Sequence, residues 1–266
     1  MEWMQHLFMQ NALLAVLMVT PLFGLLSTAV VNNKMSFFSE ALGHSALTGI
    51  AIGVLLGLNN PLISMVAFAI FMAIAVSVVK SSGTSSPDTV IGVFSATAIS
   101  LGIVILSRGG GFNKYSGYLI GDLLSITSND LILLAGIFVV VLIAWGLIYN
   151  KLLLVSINPS LAHSRGINVH FFEILFAVIM AVTVTVSIQW LGILIITSLL
   201  VLPAAAARNV TKNVRQYTFT SVAITLFSGI TGLICSYYWG TATGATIVLI
   251  AAVAYLVTFL VKPLFI

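Results

Sequence analysis

A carboxylate and an imidazole lie one helical turn apart in an otherwise apolar stretch of this chain. Glu40 and His44 belong to the segment FFSEALGHSALTGIAIGVLLG, residues 37–57. Side chains at i and i+4 share one face of a helix, so these two converge on one spot. Carboxylate oxygen and imidazole nitrogen are ligands for zinc, and they also serve manganese and iron. The pair therefore predicts a metal site, against the structural alternative of a hydrogen bond on the helix surface.

The apolar surroundings of the pair favour the functional interpretation. An ionised group near the bilayer centre costs at least ~2.5 kcal/mol on insertion scales, and such residues usually face a cavity or a pathway. The midpoint between Asn32-Asn33-Lys34 and Asn59-Asn60 falls near His44. Zinc prefers four ligands. We therefore expect two copies of the chain, related by a twofold axis along the membrane normal, to supply one Glu40 and one His44 each.

The same helix carries a predicted packing seam. Gly49, Gly53 and Gly57 repeat at four-residue spacing. This small-xxx-small pattern lets two helix backbones approach closely in a membrane.

The composition excludes a water-soluble globule. Hydrophobic residues make up 60% of the 266 residues and charged residues 6%, whereas about 25% charged is usual for soluble domains. Long, uninterrupted apolar runs indicate spanning helices and not barrel strands. The fold class predicted is an all-α polytopic membrane protein, with residues 1–266 as a single transmembrane domain. Cys235 is the only cysteine, which excludes a disulfide within the chain.

About nine apolar segments are long enough to be candidate crossings, given ~20 residues per crossing. They are roughly 9–31, 36–57, 61–79, 88–107, 131–149, 171–188, 191–205, 217–236 and 243–262. The seventh is short and nearly touches the sixth, so eight crossings plus a re-entrant segment is the alternative.

With nine crossings the basic residues sort by side. Arg108 and Lys114 fall on one side, and the other eight fall on the opposite side: Lys34, Lys80, Lys151, Arg165, Arg208, Lys212, Arg215 and Lys262. By the positive-inside rule the second group is cytoplasmic. The N-terminus is then expected outside the cell and the C-terminus inside.

A short basic helix is predicted at about residues 203–215. Proline is tolerated in the first turn of a helix and alanine is the strongest helix former, and the segment begins with Pro203, Ala204, Ala205, Ala206 and Ala207. Cations follow at i, i+4 and i+7, namely Arg208, Lys212 and Arg215. Such a helix either docks into a soluble partner as a lever or binds anionic lipid headgroups.

Most other chemistry is missing from the sequence. The phosphate-binding loop GxxxxGKS/T, the HExxH pattern and the CxxC pattern are absent. The remaining acidic and imidazole groups are expected in ordinary roles: His163 and His170 facing solvent, Asp122 and Asp130 at helix ends, and Asp88 as a helix cap. An intramembrane enzyme has no visible catalytic set, so we expect no enzymatic activity.

Several motifs together resemble one family. The segment FFSEALGHSALTGIAIG, and then DTVIGVFSATAISLGIVILS, YLIGDLLSITSNDL, INPSLAHSRGINV and LGILIITSLLVLPAAAAR, are similar in order to the permeases of bacterial ATP-binding-cassette (ABC) importers for zinc and manganese. The resemblance implies a membrane domain of the vitamin-B12-importer type, with Glu40 and His44 as metal ligands. It also implies that residues 203–215 couple to an ATPase.

The resemblance implies partners as well as a fold. They are a second copy of the chain, a cytoplasmic ATPase dimer that holds the ATP, and an external solute-binding protein that delivers the metal. The expected location is the bacterial cytoplasmic membrane, with lipid around the chain and no nucleic acid. YLIGDLLSIT and LIITSLLVLPAAAAR look closer to the zinc permeases than to the manganese ones, although Glu40 stands where many members have Asp. The alternative function is a self-sufficient ion-coupled carrier or channel.

Overall fold

The structure is a computed structural model that describes residues 5–58, 60–83, 85–108 and 117–264. Its elements among these residues are α-helices and short 3-10 turns, with no strand. In chain order the helices are α1 (Leu7–Asn32), α2 (Ser36–Leu55), α3 (Leu62–Ser81), α4 (Pro87–Arg108), α5 (Gly117–Ile120), α6 (Ser128–Ile157), α7 (Pro159–Ser164), α8 (Val169–Leu191), α9 (Ile193–Leu199), α10 (Leu202–Val210), α11 (Val214–Trp239) and α12 (Thr243–Val261).

Eight helices of the described part are long and apolar enough to cross a membrane: α1, α2, α3, α4, α6, α8, α11 and α12. The prediction of an all-helical membrane fold is confirmed. The seventh predicted crossing, residues 191–205, is instead divided between α9 and α10. A helix of seven residues is about 10 Å long, roughly a third of the hydrocarbon core, so α9 does not cross by itself. The described part therefore contains eight unbroken helices of spanning length and one broken apolar segment, formed by α9 and α10.

The chain forms two compact units. The first contains Met1–Ser36, Ile120–Leu142 and Gln189–Ile266, and the second contains Phe37–Leu119 and Ile143–Ile188.

The first unit is organised on a close contact between α1 and α11. A Cβ atom added to Gly24 would lie 2.7 Å from the Cα atom of Val222. The Ser27 and Ser221 hydroxyls are 2.9 Å apart, and the Ser221 hydroxyl also donates to the carbonyl of Gly24 at 2.9 Å. Small residues and interhelical hydroxyl bonds of this kind hold helices together where lipid removes the hydrophobic drive to associate.

The second unit contains the close contact of α2 with α3. A Cβ atom on Gly49 would lie 2.5 Å from the Cα atom of Met65, and one on Gly53 would overlap Ser64. The packing prediction is wrong for Gly57, which lies beyond the end of α2 with φ +69° and has nothing within 4 Å of an added Cβ. Gly57 forms the turn between α2 and α3, where its positive φ suits a residue without a Cβ atom.

Charged residues of the second unit gather at one end of its helices. Lys80, at the end of α3, pairs with Glu173 in the first turns of α8 at 3.9 Å. The Lys151 ammonium lies 5.2 Å from the ring centroid of Phe172. Lys80 and Lys151 were placed on the same side by the charge pattern, and these contacts agree with that placement. Lys114, which was placed on the opposite side, lies outside the described residues.

Candidate metal site

Glu40 and His44 face each other on α2. The Nε2 atom of His44 lies 3.7 Å from the Oε1 atom of Glu40, and the two side chains are 21% and 52% exposed. This distance is longer than a hydrogen bond but within the range of an ion pair. The arrangement therefore fits a pair of metal ligands and also fits the structural alternative, a pairing of the two side chains on the helix surface.

The local fold of α2 explains why the pair is accessible. Phe38, Ala41 and Leu42 are between 1% and 2% exposed and turn into the protein. Glu40 and His44 lie on the opposite stripe of the same turns, as the 3.6-residue period requires. The sequence thus buries three apolar side chains to hold the two polar ones outward.

An open cleft of about 430 Å³ adjoins Glu40. It lies within the second unit, between the first turns of α2 and the facing side of α4. Its lining includes Phe37, Glu40, Asp88, Gly92, Ser95 and Ala96.

The cleft is open at one end because α2 and α4 diverge there. Further along, the Thr48 hydroxyl donates a hydrogen bond to the carbonyl of Ala98. A Cβ atom on Gly102 would lie 2.9 Å from the Thr48 nitrogen, whereas one on Gly92 would meet nothing within 4 Å. The two helices are therefore in contact at Thr48 and apart at Glu40, which gives the cleft a wedge shape.

Asp88 does not act as the cap that the sequence suggested. Ser86 accepts the hydrogen bond from the Thr89 nitrogen at 3.2 Å, and the two hydroxyls are 2.8 Å apart. Asp88 lies in the first turn of α4 with its side chain on the cleft. Sequence reasoning missed it because a proline-aspartate pair at a helix start is ordinary capping chemistry, and only the neighbouring helix shows what the carboxylate faces.

One copy of the chain does not complete a metal site. Across the described ranges, no three or more His, Cys, Asp or Glu side chains come together in a way that could hold a metal ion. Two of the other acidic residues have the expected roles at helix ends: Asp122 accepts from the Leu124 nitrogen at 3.2 Å and Asp130 from the Thr127 nitrogen at 3.0 Å. His163 is exposed in α7.

The predicted basic helix is shorter than expected. The helix α10 ends at Val210, and Asn213 caps the next helix by accepting from the Gln216 nitrogen at 2.8 Å. Lys212 therefore lies between two helices and Arg215 in the first turn of α11. The prediction of three cations on one helix face is wrong, since only Arg208 belongs to α10.

The helix α10 is anchored in the first unit by its small side chains. Ala204 and Ala207 are fully buried with Tyr217, and Val31 packs against this cluster. Pro203 and Ala206 are also buried, Ala205 is partly buried, and Arg208 is exposed. The Asn209 amide donates to the Thr258 hydroxyl at 3.4 Å. The helix thus offers one exposed basic side chain on a rigidly held body.

Comparisons with known proteins agree with the motifs. Residues 5–262 match the model of the ABC 3 transport family. The high-affinity zinc uptake system membrane protein ZnuB of Haemophilus influenzae is 33% identical over 93% of this chain and 95% of its own length. The manganese import system permease protein ScaB of Streptococcus gordonii is 27% identical, over 96% of this chain and 92% of its own.

A solved structure shares the fold. PsaBC from Streptococcus pneumoniae in complex with Fab contains a chain that is 26% identical, with a TM-score of 0.84 over 96% of this chain and 92% of that one. The eight apolar helices and these membrane-protein relatives make the chain a multi-pass membrane protein. The family match covers nearly the whole sequence, and the resemblance noted from the motifs is confirmed: the chain belongs to the ABC 3 transport family.

Proposed function

We propose that this chain is the membrane-spanning permease of an ABC importer for divalent transition-metal ions, with Glu40 and His44 as its metal ligands. The observation that carries the proposal is the pairing of these two side chains at 3.7 Å on an apolar helix. Their partial exposure, 21% for His44 and 52% for Glu40, leaves both side chains accessible to an ion, as a ligand role requires.

Zinc is the first choice of substrate and manganese the second. Relatives named for each metal span nearly the whole chain, and the motifs of this sequence resemble the zinc permeases more closely. The ligands themselves do not decide, because carboxylate and imidazole bind both ions. Iron is the third choice.

A second copy of the chain completes the site in this proposal. Zinc prefers four ligands and one chain offers two. A twofold axis along the membrane normal brings a second Glu40 and a second His44 to the same point. The transported ion is then a substrate held between the two copies and released from there, and the chain retains no cofactor.

Transport against a gradient requires an energy source outside this chain. The phosphate-binding loop is absent from the sequence, so a cytoplasmic ATPase dimer binds the ATP and this chain is not an enzyme. The helix α10, with Ala204 and Ala207 packed against Tyr217 and Arg208 exposed, is the coupling element. An external solute-binding protein delivers the metal. The setting is the bacterial cytoplasmic membrane, with the N-terminus outside and the C-terminus inside.

Metal uptake into proteoliposomes tests the proposal. The chain is reconstituted with its ATPase and binding protein, and uptake of Zn²⁺ and Mn²⁺ is compared for the wild type, Glu40→Gln and His44→Ala. We expect both variants to lose most of the uptake while assembling normally. His163→Ala is the matched control, because this histidine is exposed in α7 and should transport as the wild type does.

Two results would count against the proposal. Uptake by His44→Ala at the wild-type rate would remove the metal site from this pair. Uptake by the chain alone, without ATPase or ATP, would favour the self-sufficient carrier.

A further inference from the structure

We propose that Asp88 is a further residue of the transport path, which takes up the cation as it leaves Glu40 through the cleft between α2 and α4. This inference rests on the proposed function, since it takes Glu40 as a ligand. The inference gives a transport role to Asp88, which the sequence alone predicts to be a helix cap.

The cleft joins the two carboxylates. Glu40 and Asp88 both line the same volume of about 430 Å³. Each lies near the start of its helix, Glu40 in the second turn of α2 and Asp88 in the first turn of α4. Because the two helices also meet further along at Thr48 and Ala98, they run in the same direction. The wide end of the wedge therefore opens where both helices begin.

The side of α4 that faces the cleft is built from small residues. Asp88, Gly92 and Ala96 follow one another at i+4 spacing, which puts them on one stripe of the helix. A Cβ atom added to Gly92 would meet nothing within 4 Å. Ser95 adds a hydroxyl to the same wall. The stripe leaves room for a hydrated ion and offers it oxygen atoms, the ligands that suit hard divalent cations.

Asp88 lies in the first turn of α4, where its charge complements the helix N-terminus, but it is not the N-cap. Ser86 supplies the N-cap of α4 through the Thr89 nitrogen at 3.2 Å. Asp88 forms no ion pair with any of the residues that the structure describes. An exposed, unpaired carboxylate at the mouth of a cleft raises the local concentration of cations there, because low-dielectric walls focus its field.

The path explains how Glu40 could release what it binds. A cation at Glu40 and His44 is held by opposite charge, and a second, weaker site nearby lets it leave in steps. Asp88 offers that site without the imidazole, and so with weaker binding. Transfer from Glu40 to Asp88 moves the ion toward the first turns of α2 and α4, where the cleft is open.

The test compares three variants in the reconstituted transporter, with Zn²⁺ supplied on the binding protein. Asp88→Asn keeps the size of the side chain and removes the charge. We expect its maximal uptake rate to fall about tenfold, a loss equivalent to ~1.4 kcal/mol. The half-saturating concentration of the metal-loaded binding protein and the thermal unfolding midpoint in detergent should not change. Asp88→Glu should restore most of the rate.

Filling the cleft gives an independent measurement. Gly92→Leu places a side chain in the open volume, and its Cβ atom meets nothing within 4 Å, so it should block uptake while leaving the protein folded. Gly146→Leu is the matched control. Gly146 is also exposed within a spanning helix, with nothing within 4 Å of an added Cβ, but it lies on α6 and away from the lining of the cleft.

The outcomes separate this inference from the proposed function. A wild-type rate for Asp88→Asn, together with loss of uptake for Glu40→Gln, would overturn the role of Asp88 and leave the metal site in place. Wild-type rates for both variants would overturn the two proposals together. The inference would also be overturned if Asp88→Asn and Asp88→Glu both lost rate and both showed a lower unfolding midpoint. That result would show that Asp88 only stabilises the start of α4.

Discussion

The hydroxyl of Thr48 donates a hydrogen bond to the carbonyl of Ala98, and this bond closes the narrow end of the cleft between α2 and α4. Gly102 lies at the same level, with room for no side chain against the Thr48 backbone. The contact fixes the distance between the helix that carries Glu40 and the helix that carries Asp88. The separation of Glu40 and Asp88 at the open end of the cleft thus depends on the bond between Thr48 and Ala98 at its narrow end.

Thr48→Val tests that dependence. Valine keeps the shape of threonine and removes the donor, so we expect a loss of stability of about 0.6 kcal/mol, typical of hydrogen bonds between membrane helices. The measurement is thermal or denaturant unfolding in detergent. Thr48→Ser, which retains the hydroxyl, should lose less; equal losses for the two variants would assign the effect to packing and not to the bond.

Leucine at Gly49 should destabilise the second unit. Its Cβ atom alone would lie 2.5 Å from the Met65 Cα atom, and forcing α2 from α3 costs about 1–3 kcal/mol, as overpacking does in general. Gly57→Leu is the internal comparison, since nothing lies near its Cβ. Gly57→Leu should lose less stability than Gly49→Leu, because its only cost is the strain of a side chain at a φ of 69°. A lower unfolding midpoint for Gly57→Leu than for Gly49→Leu would contradict the assigned contacts.

Ser221→Ala removes the hydroxyl that links α11 to α1. Ser221 bonds both the Ser27 hydroxyl and the Gly24 carbonyl, each at 2.9 Å. We expect a loss of about 1 kcal/mol, because a buried partner is left with one bond fewer. Either single change removes the contact between the Ser27 and Ser221 hydroxyls, so the double change should cost less than the sum of the two single changes. Strict additivity in the double-mutant cycle would show that the hydroxyls are not coupled.

Tyr217→Phe should leave stability unchanged or raise it by up to about 1 kcal/mol. The buried hydroxyl has no hydrogen-bond partner among the described residues, and removing it also removes the free-energy cost of keeping an unbonded polar group away from water. Its ring packs with Ala204 and Ala207, and phenylalanine keeps that packing. Unfolding in detergent measures the change. A clear loss of stability would mean that the hydroxyl is bonded in the assembled protein.

Arg208→Glu and Arg215→Glu should differ in their effect on coupling. Arg208 is exposed on α10, whereas Arg215 lies beyond the break, in the first turn of α11. If α10 is the coupling element, Arg208→Glu weakens docking of an ATPase and lowers metal-stimulated ATP hydrolysis, and Arg215→Glu has the smaller effect. Co-purification with the ATPase and hydrolysis rates measure both steps. Equal effects would indicate a general response to basic charge, as binding to anionic lipid would produce.

The sequence predicted most spanning helices to within a few residues, because apolar length determines them. It indicated Glu40 and His44 as a candidate pair from their spacing and from the apolar helix around them, and their role as metal ligands stays a prediction. It failed at residues 191–205, where the apolar run is continuous and the breaks at Gly192, with φ +78°, and at Val201 have no polar marker. Hydropathy measures length and composition, and it is insensitive to a change of direction within an apolar run.

Two further differences had different causes. The helix of residues 203–215 was extended past Thr211 by cation spacing, although Asn213 and Gln216 form the pattern of an N-cap followed three residues later by a glutamine, a recognised helix start. The position of Asp88 on the cleft could not be predicted from the sequence. It depends on α4 lying beside α2, and a single sequence does not show which helices are neighbours.

The short helix α9 has a consequence for how the chain is built. Its ends leave backbone carbonyl and amide groups that hydrocarbon cannot satisfy, and Ile193, Ile196 and Leu199 are almost fully enclosed by protein. Part of that enclosure comes from α12, which the ribosome makes later. The contacts that α12 makes with this segment therefore form only after the rest of the chain has been synthesised.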